Sequence, residues 1–320
     1  PRYLLDRSLL VHRLNIALAL RERLFDGPYY RLVYGEADQL PGLVIDRYGD
    51  VCVVQCTTAG MEAVRDQIVD ALHKVLHPAG IVLRADSPVR QLEGLDLYQD
   101  QVGEVPEQAV VEEHGLQFSV SLAQGQKTGW FFDQRDNRRR FTRYPAKRML
   151  DVFCYTGAWG LSAAVRGARA AFVDSSASAL AAVEGNAARL GVAAETHRGS
   201  AFEILKALRA EGRRFDAVVV DPPAFIKRKR DLKEGALAYR RLNEAALGLL
   251  GRDGILVTAS CSFHMQRDQL LRTVQQAARH SDRSLQLVQQ GQQSPDHPIH
   301  PAISETAYLK AFFLRVLPTL

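Results

Sequence analysis

The stretch "LVTASCSF" (256–263) is an apolar run that stops on Cys261, with Ser260 and Ser262 on either side. A thiol there either packs as a small hydrophobe, as most free cysteines do, or faces a crevice as a nucleophile. Earlier in the chain, "VVVDPPAF" (218–225) ends another apolar run. Two prolines after Asp221 make a rigid turn with few free amides. That turn holds the carboxylate at the strand end and offers Phe225 for stacking on a planar ring. In "DVFCYTGAWG" (151–160), Gly157 permits a tight turn before a helix whose first amides suit a nucleotide-like ligand. The first glycine of GxGxxG is missing, so no pyrophosphate is called for. Asp174, about twenty residues after the loop, can accept from both ribose hydroxyls. Each feature alone also reads as an ordinary turn or helix start. Together they favour a nucleoside cofactor without saying which one.

The elements that must carry these residues alternate. From about residue 147, "RMLDVF", "ARAAFVD", "RFDAVVVD" and "GILVTAS" read as strands. Between and after them lie helical stretches at 158–167, from the Ser176 cap to Leu190, at 234–250 and at 265–280. Such alternation predicts a doubly wound parallel sheet with right-handed crossovers. Ligands of such sheets sit at the carboxyl ends of the strands, near the switch point. "SLQLVQQG" and "AYLKAFFLRVL" have no helix pattern between them and are expected to pair antiparallel at a sheet edge. The first part of the chain differs. A helix over 3–24, three short strands from Tyr30, a helix over 61–76 and a strand over 80–86 predict a small α+β module. Residues 110–132 predict a β-hairpin turning at His114-Gly115. The expected domains are 1–132, a central α+β domain with linking helix and hairpin, and 133–320, the doubly wound domain.

Composition narrows the classes. The chain has 320 residues, 47% of them hydrophobic, and a net charge of +5, which suggests an acidic partner such as nucleic acid. The four cysteines, Cys52, Cys56, Cys154 and Cys261, complete no zinc spacing. As thiols they fit a reducing, cytoplasmic compartment. No membrane span or signal peptide is visible. The chain starts at Pro1, directly in helix-like sequence, and residues are expected to be missing upstream.

The combination "DVFCYTGAWG", Asp174, "DPPAF" and "SCS" resembles class I S-adenosylmethionine-dependent methyltransferases. With "EEHG" (112–115), "GQKTGWFFDQRDNR" (125–138) and "DHP" (296–298), nearly the whole chain resembles the RlmI-type cytosine-5 methyltransferases of large-subunit (23S) ribosomal RNA. In that family an RNA-binding PUA domain precedes the helix found here at the start. The resemblance implies a class I methyltransferase (Rossmann-like) sheet with an antiparallel edge strand, behind a smaller α+β domain. It implies S-adenosylmethionine as cofactor, ribosomal RNA as partner, no metal and no membrane, with a homodimer as one option for the assembly. Carried over by motif, the cofactor site takes Lys127, Thr128, Phe132, Asp133, Gln134 and Arg135. Phe153, Tyr155, Thr156 and Gly157 line the methionine end, Asp174 holds the ribose, and Asp221 borders the same site. Where the family commonly has an acidic residue at the end of strand three, this chain has Ser200.

The same resemblance gives Cys261 a task. Cytosine C5 is a poor nucleophile; a thiolate added to C6 makes it enamine-like, and after methyl transfer the C5 proton leaves and the thiolate is expelled. Asp221 is expected to hydrogen-bond the base at N3 and N4, and the serines to turn polar groups toward the crevice. Cys154, in the cofactor loop, reads as packing. Other RNA cytosine-5 methyltransferases carry a second cysteine in the strand-four motif, where this chain has Pro222-Pro223-Ala224. The base that takes the C5 proton is then water or His264, with water favoured. The target base must leave its stack. Pro222, Pro223 and Phe225 are expected to meet it, with Lys227, Arg228, Lys229 and Arg230 on the phosphates. The "RRR" run at 138–140 reads equally as a solvated face. Two other readings stay open: methylation of an exocyclic base nitrogen, in which Cys261 is dispensable, and an inactive RNA-binding or ribosome-assembly protein.

Overall fold

The computed structural model describes residues 4–122 and 128–318. The chain forms two compact units, residues 1–133 with 294–306, and residues 134–293 with 307–320. The "DHP" segment thus belongs to the first unit although it lies late in the chain. Among the described residues no helix is long and apolar enough to cross a membrane.

In the first unit, α1 (Arg7–Leu24) starts at Asp6, whose side chain accepts from the Leu9 amide at 2.9 Å. It is followed by β1 (Tyr29–Tyr34), β2 (Leu43–Tyr48), β3 (Val51–Cys56), α2 (Ala59–Ala63), α3 (Arg65–Leu76), β4 (Gly80–Ala85) and β5 (Tyr98–Gly103). The five strands form one sheet in sequence order, antiparallel except for β3 and β4, which the α2–α3 crossover joins in parallel. One helix was expected over 61–76; two are present, broken at Val64. The hairpin β6 (Gln108–Glu113) and β7 (Leu116–Ser121) turns where its sequence predicts. His114 and Gly115 both have positive φ there, 54° and 77°, as a two-residue turn matched to strand twist requires. Late residues complete this unit. Arg21 grips Asp38 through two bonds, at 2.6 and 2.7 Å, and reaches the carbonyl of Asp296 at 2.8 Å; the Arg31 amide donates to the Asp296 carboxylate at 3.0 Å.

The second unit runs α4 (Arg135–Phe141), β8 (Arg148–Val152), α5 (Ala158–Ala164), β9 (Arg169–Asp174), α6 (Ala177–Leu190), β10 (Ala194–Arg198) and α7 (Ala201–Ala210). It continues with β11 (Phe215–Val220), α8 (Leu232–Leu247), β12 (Leu250–Ser260), α9 (Arg267–His280), β13 (Arg283–Gly291) and β14 (Lys310–Pro318). The seven strands lie in the order β10-β9-β8-β11-β12-β14-β13. The first five are parallel, and β14 pairs antiparallel with both β12 and β13. This is the doubly wound sheet with an antiparallel edge that the sequence predicts. The order reverses between β8 and β11, so a crevice opens at their carboxyl ends. Central strands such as Ala217–Val220 are fully buried, because helices cover both faces of a parallel sheet. Leu150, Val218 and Leu256 face one core, and Met149, Val219 and Val257 the other.

Candidate active site

Three strand ends of the second unit build the site. After β8, the amides of Phe153 and Cys154 both donate to the Val173 carbonyl, at 2.9 and 3.1 Å, which folds the loop back over β9. Phe153 and Tyr155 take positive φ, 62° and 49°, unusual for residues with a side chain. Gly157 caps α5 at φ 82°. A Cβ there would lie 3.0 Å from Val183 and 3.2 Å from Phe172, so the loop lies directly on the packed layer beneath it. The result is a close-packed backbone cradle, with Thr156 and Gly157 buried and Phe153 and Tyr155 half-buried.

Asp174 ends β9, half-buried. Its Oδ2 accepts from the Tyr155 amide at 3.0 Å and its Oδ1 from the Ser176 amide at 2.9 Å, so both strand ends fix the carboxylate. Ser200 follows β10 and is exposed at the start of α7. Beneath the cradle, Asp151 is fully buried and its Oδ2 accepts from the Gly160 amide at 2.9 Å. Burial pushes its carboxyl up to about 8, opposed by that amide and reinforced by Asp221 and Asp174.

After β11, Asp221 is half-buried. Its Oδ2 accepts from Gln134 Nε2 at 2.9 Å and from the indole of Trp159 at 3.4 Å. Asn137 holds the Gln134 amide by donating to its oxygen at 2.7 Å. Pro222 is buried and Pro223 exposed. Phe225 is half-buried: its ring packs on Tyr239, centroids 4.8 Å apart, and edge-on to Phe153 at 6.3 Å. One side of the ring thus joins the core cluster of the sheet. Lys227, Arg228, Lys229 and Arg230 are all exposed, with Arg228 and Arg230 leaning on Asp231.

Cys261 follows β12. Its Sγ lies 4.0 Å from the Pro222 carbonyl, and the residue is half-buried, whereas Cys52, Cys56 and Cys154 are buried. Burial raises the Cys154 thiol well above its ordinary value and Cys52 and Cys56 to about 12, so those three are poor nucleophiles. The flanking serines do not face the crevice. Ser260 donates to the Tyr239 hydroxyl at 2.9 Å, and Ser262 shares a bond with the same hydroxyl at 3.0 Å. Ser262 also accepts from the Ile226 amide at 3.2 Å, tying β12 to the turn after Asp221. Both are buried, and the phenol supplies the hydrogen bonds that solvent cannot. Arg138 is likewise buried, so "RRR" is not one solvated face; Arg139 is exposed.

The second unit thus brings Gln134, Phe153, Tyr155, Thr156, Gly157, Asp174, Asp221 and Cys261 to one edge of its sheet. Thr128, Phe132 and Asp133 pack within the first unit: Thr128 bonds Asp46, Phe132 lies 5.4 Å from the Tyr48 ring, and the Asp133 carbonyl accepts from the Ser294 amide at 2.8 Å. Arg135 is buried in α4. Lys127 lies outside the described residues. Trp159, Tyr239, Asp151 and Lys310 were not singled out in the sequence. The signal for Lys310 was a lysine inside an otherwise apolar strand.

Comparison with known proteins adds a family to this geometry. Residues 132–257 match the model described as "Conserved hypothetical protein 95". The chain is 39% identical over 295 residues to ribosomal RNA large subunit methyltransferase I of Klebsiella pneumoniae, covering 90% of this chain and 74% of the relative. With the same enzyme of Cronobacter sakazakii it shares 38% over 327 residues, 99% of this chain and 83% of the relative. The chain belongs to the ribosomal RNA large subunit methyltransferase I family. The Streptococcus mutans protein described as "A putative sam-dependent methyltransferase" has the same fold, with a TM-score of 0.85 at 22% identity over 98% of this chain and 82% of that one. This family member is a methyltransferase of the class I fold, and S-adenosylmethionine is its methyl donor. The second unit fits that cofactor: a tight backbone turn at Gly157, with φ 82°, opens α5, and an oriented carboxylate stands at the end of β9.

Proposed function

We propose that the protein methylates C5 of a cytosine in large-subunit ribosomal RNA, with Cys261 as the nucleophile. One observation carries the reading: of the four thiols, only Cys261 is less than fully buried, and it stands at the crevice beside the Asp221-Pro222 turn. The names of the relatives supply the RNA class.

In this reading the loop backbone at Phe153, Tyr155, Thr156 and Gly157 holds the methionine end of the cofactor and Asp174 the ribose diol. Gln134 orients Asp221 at the border of the two ligands. Thr128, Phe132, Asp133, Arg135, Ser200 and Lys127 join the cofactor site on family resemblance alone. S-adenosylmethionine, when bound, supplies an electrophilic methyl group. The chain's own work is on the base. The Cys261 thiolate forms a bond to C6, the C5–C6 π pair moves into the ring, and N3 takes a proton at the Asp221 side. C5 is then nucleophilic. Once C5 carries the methyl group, its proton leaves to water, the C5–H pair rebuilds the C5–C6 π bond as the C6–S pair returns to sulfur, and N3 gives its proton back on the Asp221 side. Splitting the reaction this way replaces one hard step with two easier ones. Pro222 and Pro223 keep the turn rigid, and Lys227 to Arg230 offer charge to the phosphates of an extruded nucleotide.

RNA carrying 5-fluorocytosine tests the chemistry, because fluorine cannot leave as the proton does. The wild type is expected to form a stable covalent adduct with such RNA, and Cys154→Ala to form it too. Cys261→Ala should bind cofactor and RNA yet lose turnover by at least about a thousandfold, since the lost step is chemical. Near-normal turnover of Cys261→Ala would remove the thiol from the mechanism and put exocyclic-nitrogen methylation first.

A further inference from the structure

Lys310 opens β14 directly across from Ser260, the residue before Cys261. It is 6% exposed, and its Nζ donates at 2.7 Å to the carbonyl of Ser262, the residue after Cys261. One ammonium is thus fastened to the turn that carries the thiol. An ammonium has three donors, and this carbonyl uses one. Taking so strongly hydrated a group from water is costly. A leucine would suit "YLKAFFLRVL" better on packing grounds alone.

We propose that Lys310 supplies the cation that stabilises the Cys261 thiolate, making it a positioning residue for the nucleophile. The inference rests on the reading of Cys261 given above. In the activating step the S–H bond breaks, the proton passes to water, and the electron pair stays on Sγ within electrostatic reach of Nζ. Two charged groups act on Lys310. The Cys261 charge favours its ammonium form and Arg267, at the start of α9, opposes it; burial outweighs both and brings Lys310 down to about 8. Near neutral pH the ammonium therefore predominates. Arg267 has partners of its own, lying over the Phe312 ring at 5.8 Å and donating to the Gly291 carbonyl at 3.1 Å. From α8 the group nearest the turn is Tyr239. Burial first, then the Cys261 charge, raise its phenol, so it stays neutral and adds no competing anion.

The test is the pH dependence of Cys261 alkylation by iodoacetamide in the intact chain, read by peptide mass. The rate follows thiolate fraction. The wild type should titrate with a midpoint below the ~8.5 of a free thiol. Lys310→Met should move the midpoint up by about one pH unit and slow alkylation at pH 7 by roughly tenfold, and Lys310→Arg should restore most of it. S-adenosylmethionine affinity should be the same in all three proteins. A wild-type midpoint at or above that of a free thiol overturns the inference without any variant, as does an unchanged midpoint in folded Lys310→Met. An active Cys261→Ala enzyme instead sinks the nucleophile reading, whatever the alkylation profile shows.

Discussion

Asp151 of the candidate site has no exposure, and its Oδ1 has no hydrogen-bond partner among the described residues. Its folded-state value, about 8, lies above the 3.8 expected of the unfolded chain. The sign follows from proton counting. Between those values the folded state binds the proton and the unfolded state does not, so stability falls as pH rises. The contribution is fully present below about pH 4 and lost as pH rises through 8. Denaturant midpoints at pH 5 and pH 8 should show wild type losing more stability than Asp151→Asn over that interval, by at most about 1.4 kcal/mol per pH unit. A pH-independent difference between the two proteins would refute the assignment. Residues of this kind were half legible. Cys261, Asp221 and Asp174 stood out because a polar group ended an apolar run. Trp159 and Tyr239 did not, because an aromatic residue on a helix reads as core until its polar atom is seen against Asp221 or the two serines. Lys310 was visible as an oddity in an apolar strand, yet only the register across β12 shows which residues it serves.

At the scale of elements, one phenol joins Lys310 in holding the end of β12. Tyr239 projects from α8, is fully buried, and joins Ser260 and Ser262, while Ser262 ties in the Ile226 amide. Tyr239→Phe removes one oxygen and strips two buried hydroxyls of a partner. Its expected cost is about 1–3 kcal/mol of stability, measured by urea unfolding. Turnover should fall further than cofactor affinity, because the loosened turn carries Cys261 and not the cradle. A fall in affinity as large as the fall in turnover would contradict that division. Element legibility followed pattern strength. Ser176 reads as a cap and its hydroxyl does accept from the Ala179 amide, because a serine before a helical stretch signals itself. The strand Tyr98–Gly103 was not read, since as an edge strand it is mostly exposed and shows no apolar alternation. The break at Val64 was hidden because apolar spacing continues across it.

At the scale of the whole molecule, charge and chain order matter most. The net charge of +5 is modest. Within the exposed run 227–230, Asp231 already offsets part of the charge through Arg228 at 3.1 Å and Arg230 at 3.8 Å. Replacing all four cations with glutamine should weaken RNA binding and flatten its salt slope by roughly 2–3, since one carboxylate offsets at most one of the four charges. Titrations between low and moderate salt would check this, with cofactor affinity as the unchanged control; an unaltered slope would return the run to the status of a solvated surface. The alternating part of the chain announced a doubly wound parallel sheet, but the return of residues 294–306 to the first unit was not legible. Nothing in "DHP" says which arginines it will meet. That return has a consequence for how the protein is made. Arg21 and Arg31 emerge from the ribosome early, but Asp296 emerges roughly 260 residues later, which at ~5–20 residues per second is on the order of 10–50 s. Until then the nascent first unit lacks one of its own walls. Its completion therefore reports that almost the entire second unit has already been synthesised.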